Sequence, residues 1–138
     1  MPEETTIEHR DRALIAFTLL TGARDGAIAS LKLRHIDIEA GTVFQDARVV
    51  HTKFGKSFTT SFFPVGDDVK DIVVQWVDYM KTELLMGNDD PLFPKPKMGQ
   101  GKDQSFQVIG LSREHWSNAS AIRRIFKDAF TIFRISNV

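Results

Sequence analysis

The first candidate for chemistry is an arginine placed between two predicted helices. Arg24 lies in the segment 21–26, which reads TGARDG. A guanidinium beside a helix N-terminus attracts phosphate or carboxylate, because both groups offer N–H donors and positive charge. An arginine at such a junction can instead cap backbone carbonyls or pair with a nearby acid. Arg24 is therefore a candidate anion-binding residue with a structural alternative.

Two lysines form the second candidate group. Lys53 and Lys56 lie in the segment 52–56, TKFGK, between two stretches rich in Val, Thr and Phe. A lysine at a hairpin tip can contact a backbone phosphate or donate a proton to a leaving oxygen. The alternative is that such lysines promote solubility. His51 precedes the segment and could also contact a phosphate, although the residues alone favour a cross-strand partner.

A third group of cations lies near the C-terminus. Arg123, Arg124 and Lys127 share the polar side of an amphipathic helix, and residues 91–138 hold eight bases against three acids. The whole chain is balanced, with 18 Lys and Arg against 18 Asp and Glu. This asymmetry is compatible with a basic surface for nucleic-acid phosphates, but the residues alone favour the other interpretation. The alternative is a solvated helix face, which Asp128 interrupts.

Composition excludes several classes of protein. The 138 residues suffice for one domain. A composition of 42% hydrophobic and 26% charged residues is typical of globular proteins. The absence of cysteine excludes disulfides, thiolate metal sites and a thiol nucleophile. No His, Asp and Glu residues have metal-ligand spacing, so we expect no metal, no cofactor and no small-molecule substrate. There is no apolar run of about 18 residues and no signal peptide, which predicts a cytoplasmic protein without a membrane segment.

Apolar periodicity predicts four helices. The first is apolar on nearly all sides, which indicates a position inside the core, and the third and fourth each carry one apolar stripe. The predicted ranges are 8–21, 25–35, 67–86 and 117 or 118–134.

A small sheet is expected between the second and third helices. The stretches 42–51 and 57–63 are typical of strands joined at 52–56 as a hairpin, with 36–38 as a less certain third strand. Prolines and glycines make 88–111 a long loop, with room for a short strand at 106–109. The predicted fold class is α+β, mainly helical, with an antiparallel sheet of two or three strands.

In this order, these segments resemble the catalytic domain of the tyrosine recombinases, the phage-integrase family. Arg24 follows Thr-Gly at the end of a buried helix, and LKLRHIDI at 31–38 resembles the family's Leu-x-x-x-Asp-Ile segment. The segment TKFGK, followed by a strand ending at 63–65, is similar to the family's lysine hairpin. PLFP at 91–94 resembles its Leu-Phe-Pro element. The resemblance extends over about residues 8–134.

The resemblance implies a DNA breaking-rejoining fold and covalent chemistry without a metal. A tyrosine attacks the scissile phosphodiester and forms a 3′-phosphotyrosyl link, while two arginines hold the non-bridging oxygens. A lysine protonates the departing 5′ oxygen, and a His-x-x-Arg segment assists. Arg24 matches the first arginine and Lys53 the lysine, with Lys56 as the alternative if the hairpin register differs. The implied partner is double-stranded DNA, and the implied setting is the nucleoid in the cytoplasm of a prokaryotic cell, for a protein of prokaryotic or phage origin.

Three positions depart from the family pattern. Ala27 stands three residues after Arg24, where the family has an acidic residue. No His-x-x-Arg segment exists, since His115 is followed by Trp-Ser-Asn. The nucleophile is also absent, because the single tyrosine, Tyr79, lies within the third predicted helix. We therefore interpret residues 1–138 as one partial domain, the N-terminal part of a truncated catalytic domain, inactive alone.

Two other interpretations stay open. One is a non-catalytic DNA-binding or regulatory module, which predicts salt-dependent DNA affinity. The other is an interaction module, in which apolar surface exposed by truncation supports a homo-oligomer.

Overall fold

The part of the chain that the structure describes is α+β. The computed structural model describes residues 6–46, 56–100, 106–116 and 119–136. Within these ranges there are four α-helices, a three-stranded antiparallel sheet and a separate two-stranded sheet. The helices are α1 (Thr6–Thr21), α2 (Asp25–Ser30), α3 (Asp67–Thr82) and α4 (Ser120–Ser136). The strands are β1 (Ile36–Asp37), β2 (Thr42–Gln45), β3 (Phe58–Ser61), β4 (Pro96–Gln100) and β5 (Phe106–Leu111).

Helix α1 lies in the middle of the core, which confirms the expectation from its apolar composition. Leu14, Phe17 and Leu20 on this helix are at most 1% exposed. Helix α3 packs against α1 through the stripe that the sequence predicts, with Trp76 and Met80 fully buried. Neither helix could bury this much apolar surface alone, so each depends on the other for stability.

The segment Pro91–Pro94 holds three parts of the fold together. The Trp76 Nε1–H donates to the Leu92 carbonyl at 2.9 Å, and the Leu92 N–H donates to the Leu31 carbonyl at 2.9 Å. The Phe93 ring meets the Phe17 ring edge to face, with centroids 5.3 Å apart. We call Pro91–Pro94 the clasp, because it joins α1, the end of α2, and α3.

The clasp explains why α2 is shorter than predicted. The sequence favours a helix over 25–35, but α2 ends at Ser30 and a 3-10 turn covers Leu33–His35. Between them, Lys32 forms an antiparallel bridge with Pro91. The His35 Nδ1 accepts the Lys32 N–H at 2.9 Å, so a side chain replaces the bond that a continuing helix would form.

The sheet has three strands, but its register differs from the prediction. The order is β1-β2-β3, and the predicted third strand is present as Ile36–Asp37. A loop at 52–56 would place Gln45 opposite Phe63, whereas Gln45 pairs with Phe58. Phe63 leaves the ladder because its N–H donates to the Leu20 carbonyl at 2.7 Å. Residues 52–55 of the predicted hairpin tip lie outside the described residues.

The long loop predicted at 88–111 needs correction. Strands β4 and β5 form an antiparallel ladder from Pro96 opposite Leu111 to Gln100 opposite Phe106. The strand expected at 106–109 is part of β5. Pro96 is the first residue of β4, where a missing N–H is tolerated, so prolines at a strand end made this segment look like a loop.

Other helix ends also differ from the prediction, since α1 begins at Thr6 and α4 ends at Ser136. Helix α3 ends at Thr82 rather than residue 86, and Leu85 adopts a left-handed backbone with φ of 54°. Helix α4 begins at Ser120. Of the helices in the described ranges, none has both the length and the apolarity needed to cross a bilayer.

Candidate nucleic-acid interface

A tight turn at the end of α1 fixes the position of Arg24. The Thr21 hydroxyl donates to the Phe17 carbonyl at 2.9 Å and accepts the Ala23 N–H at 3.2 Å. Gly22 has a φ of +67°, and a Cβ there would lie 3.1 Å from the Phe63 ring. A side chain at this position would be strained by the backbone conformation, and its Cβ would crowd the Phe63 ring.

Arg24 is the first residue outside α2 and presents its side chain to solvent. Its backbone is extended, with φ −78° and ψ 158°, and its carbonyl accepts the Ile28 N–H at 2.9 Å. The side chain is exposed and makes no hydrogen bond or ion pair within the described residues. The guanidinium is thus available to an anion from outside the chain.

The neighbouring acid pairs with a different arginine. The Arg123 Nε donates to the Asp25 Oδ2 at 3.0 Å, joining α4 to the first residue of α2. Ile122 anchors this part of α4, since it is fully buried in the core. The structure therefore brings Arg123 to the residue next to Arg24. The alternative in which Arg24 pairs with a nearby acid is not realised in the described residues.

Within the described residues, no contact brings the other predicted cations to Arg24. Arg124 and Lys127 are exposed on α4, and Lys56 is exposed before β3. Within the described part of the chain, no contact links Lys56 to Arg24. Lys53 and His51 lie outside the described residues, so their roles remain predictions.

The departures from the recombinase pattern have clear positions. Ala27 is fully buried, so the residue three positions after Arg24 faces the core. The Tyr79 hydroxyl lies 3.2 Å from the Thr6 hydroxyl at the start of α1. Arg24 follows the other end of this 16-residue helix, which is about 24 Å long. Tyr79 is therefore too distant to act on a phosphate bound at Arg24.

Sequence reasoning missed a buried arginine. Arg10 is 3% exposed, and its Nη1 donates to the Pro94 carbonyl of the clasp at 3.0 Å. Its guanidinium carbon lies 5.1 Å from the centre of the Trp116 ring, and its Nη2 pairs with Asp11. Periodicity places Arg10 on a helix flank, and only the packing of distant segments buries it. Its role is structural.

Two histidines sit at the C-terminal end of α2. Because the His35 Nδ1 accepts the Lys32 N–H, the ring proton lies on Nε2, which is buried without a partner among the described residues. Burial, and next the Arg34 charge, lower the pKa of His35, while Asp46 acts in the opposite direction. Burial also lowers the pKa of His115, against the effect of its bond to the Ala29 carbonyl at 3.3 Å.

These histidines predict a loss of stability in mild acid. Because both pKa values lie below the ordinary 6.5, the unfolded chain binds protons that the folded chain does not. Stability is full above pH 6.5 and falls below it, by at most about 1.4 kcal/mol per pH unit for each histidine, until the lowered pKa is reached. Urea unfolding at pH 7.5, 6.5 and 5.5 measures this slope.

The matched variant for this prediction is His35→Asn. An asparagine Oδ1 can accept the Lys32 N–H but does not titrate. In the variant, the free energy of unfolding should still fall with pH, but less steeply, because only His115 contributes. An identical slope in the variant and the wild type would contradict the assignment to His35.

Metal ligation has no support in the described ranges. Among these residues, no group of three or more His, Asp or Glu side chains could hold a metal ion.

One curated protein resembles this chain in sequence. Over 104 residues the chain is 29% identical to tyrosine recombinase XerD of Haemophilus influenzae. The chain is similar to a tyrosine recombinase. The alignment covers 75% of this chain and 32% of that protein, so the chain spans about a third of the relative's length. No family model and no solved structure matches the chain.

Proposed function

We propose that this chain is the N-terminal part of the catalytic domain of a site-specific tyrosine recombinase of the phage-integrase type. Its partner is double-stranded DNA, and Arg24 binds the non-bridging oxygens of the scissile phosphate. The observation that carries the proposal is the exposed Arg24 side chain, which makes no bond within the described residues. The similarity to XerD supports the same function.

The proposed reaction needs residues beyond this chain. In the complete protein a tyrosine hydroxyl attacks the phosphorus and loses its proton to solvent, an O–P bond forms, and the bond to the 5′ oxygen breaks. The Lys53 ammonium, or that of Lys56, protonates the 5′ oxygen as it leaves. Attack by a 5′ hydroxyl of a partner duplex on the 3′-phosphotyrosyl link reverses the step and completes DNA integration or recombination. The protein works in the cytoplasm at the nucleoid, needs no metal or cofactor, and is inactive as this chain alone.

Binding of DNA is the first test. The chain should bind a fluorescent 30-base-pair duplex at low salt, with an affinity that falls as salt rises. Arg24→Ala should weaken binding about tenfold and reduce the salt slope by about 0.9, the effect of one lost phosphate contact. Fluorescence anisotropy at several salt concentrations measures both quantities.

Arg113→Ala is the matched control, because Arg113 is also an exposed arginine but pairs with Asp90 at 2.6 Å. Its affinity should stay within about twofold of wild type. The proposal fails if the chain does not bind DNA at low salt, or if the two variants lose affinity equally.

A second candidate function is DNA binding or regulation without catalysis. The distance between Tyr79 and Arg24 favours it for this chain by itself. A protein extended beyond residue 138 distinguishes the two. Covalent capture of a nicked duplex, lost in Arg24→Ala, supports a recombinase, whereas binding without capture supports a regulatory module. Self-association is a further proposal, tested by the molar mass in solution.

A further inference from the structure

The dipeptide Arg-Asp occurs twice in the described residues, with different outcomes. Arg10 pairs with the next residue, Asp11, through Nε at 3.0 Å and Nη2 at 2.7 Å. Arg24 precedes Asp25, yet no hydrogen bond or ion pair joins the two side chains. Neighbouring Arg and Asp side chains can therefore pair in this fold, and something prevents it at Arg24.

One difference is the backbone, since Arg10 and Asp11 both lie within α1, whereas Arg24 has an extended backbone just before α2. The other difference is a third residue. The Arg123 Nε donates to the Asp25 Oδ2 at 3.0 Å, whereas Asp11 has no such distant partner within the described residues. Asp25 is 34% exposed, so water only partly screens its carboxylate. Burial of Ile122 holds α4 in place and keeps Arg123 within reach of Asp25.

We propose that Arg123 is a positioning residue for Arg24. By occupying the Asp25 carboxylate, Arg123 keeps Asp25 from pairing with Arg24 and leaves the Arg24 guanidinium open to a DNA phosphate. It also offsets the negative charge that would repel a phosphate at this place. The inference rests on the proposed function for the identity of the anion.

A competing role for Arg123 is direct contact with DNA. Its Nη1 and Nη2 have no partner within the described residues, so they could bind a second phosphate. The two roles predict different couplings with Asp25. A positioning role disappears when Asp25 is neutral, whereas a direct contact does not.

A double-mutant cycle separates them. DNA affinity is measured at low salt for the wild type, Arg123→Ala, Asp25→Asn and the double variant. Arg123→Ala should bind roughly three- to tenfold more weakly, the double variant should bind as tightly as Asp25→Asn, and Arg123→Lys should restore wild-type affinity. The inference is overturned if Arg123→Ala costs the same affinity in both backgrounds.

A readout without DNA keeps the inference separate from the proposed function. Nitrogen-15 NMR follows the Arg24 Nε–H signal and its exchange with water. In Arg123→Ala this signal should shift and its exchange should slow as Arg24 pairs with Asp25, and Asp25→Asn should reverse both changes. An unchanged signal overturns the positioning role. If the signal responds but the chain binds no DNA, the proposed function fails while the positioning role stands.

The control repeats the change at another surface pair. Arg113→Ala breaks the Arg113–Asp90 ion pair, which also joins an exposed arginine to a less exposed acid. It should leave the Arg24 signal unchanged. A shift of equal size in this variant would mean that the response is a general effect of charge, which overturns the inference.

Discussion

Replacing Trp76 by alanine is expected to lower the free energy of unfolding by about 3–5 kcal/mol. The indole is fully buried between α3 and α1, and its Nε1 donates to the Leu92 carbonyl of the clasp. The substitution therefore creates a cavity and leaves a carbonyl without its donor. The total free energy of unfolding of a domain of this size is about 5–15 kcal/mol, so the variant should be close to unfolding at 37 °C.

Trp76→Phe separates the two contributions. It keeps most of the buried aromatic volume and removes the donor, so the expected loss is about 1–3 kcal/mol. Urea unfolding followed by circular dichroism measures both variants at pH 7.5. A loss below about 1 kcal/mol for Trp76→Ala would contradict the placement of this side chain at the centre of the core.

Arg10→Ala is expected to cost about 3 kcal/mol, which is unusual for a helical arginine. The guanidinium is buried, donates to the Pro94 carbonyl and lies over the Trp116 ring. Its removal leaves the carbonyl unsatisfied, at about 1–3 kcal/mol, and loses a desolvated cation–π contact of up to about 2 kcal/mol.

Arg12→Ala is the control on the same helix, because Arg12 is exposed. Its effect should stay within about 0.5 kcal/mol. The Trp116 environment gives a second readout, since near-ultraviolet circular dichroism should change in Arg10→Ala and not in Arg12→Ala. Equal stability of the two variants would show that Arg10 does not hold the clasp.

Local periodicity predicted the helices that carry the core. The apolar residues of α1 and the stripe of α3 repeat at helical spacing, so their type and burial follow from the sequence. The end of α2 could not be predicted in this way. Leu31 and Lys32 leave the helix because residues 91 and 92 bind their backbones, and no local pattern contains that information. The β4–β5 ladder was missed for a related reason, since Pro96 resembles a loop signal.

The candidate site was also predictable from the sequence only where local signals determine it. The position of Arg24 between two helices follows from TGARDG, because glycine and a cap residue mark the turn. The positioning role that we propose for Arg123 rests on its bond to Asp25, a residue 98 positions away in sequence. No spacing rule connects such residues. The resemblance supplied the role of Lys53, which lies outside the described residues and stays a prediction.

The clasp also has a consequence for synthesis of the protein on the ribosome. The Leu31 carbonyl accepts the N–H of Leu92, and the Pro94 carbonyl accepts from Arg10 Nη1. At about 5–20 residues per second, roughly 3–12 s separate the translation of residue 31 from that of residue 92. During this interval α1 exists as a nascent segment whose apolar surface has no complete partner. The chain therefore completes this part of its core only after residues 92 and 94 have been synthesised.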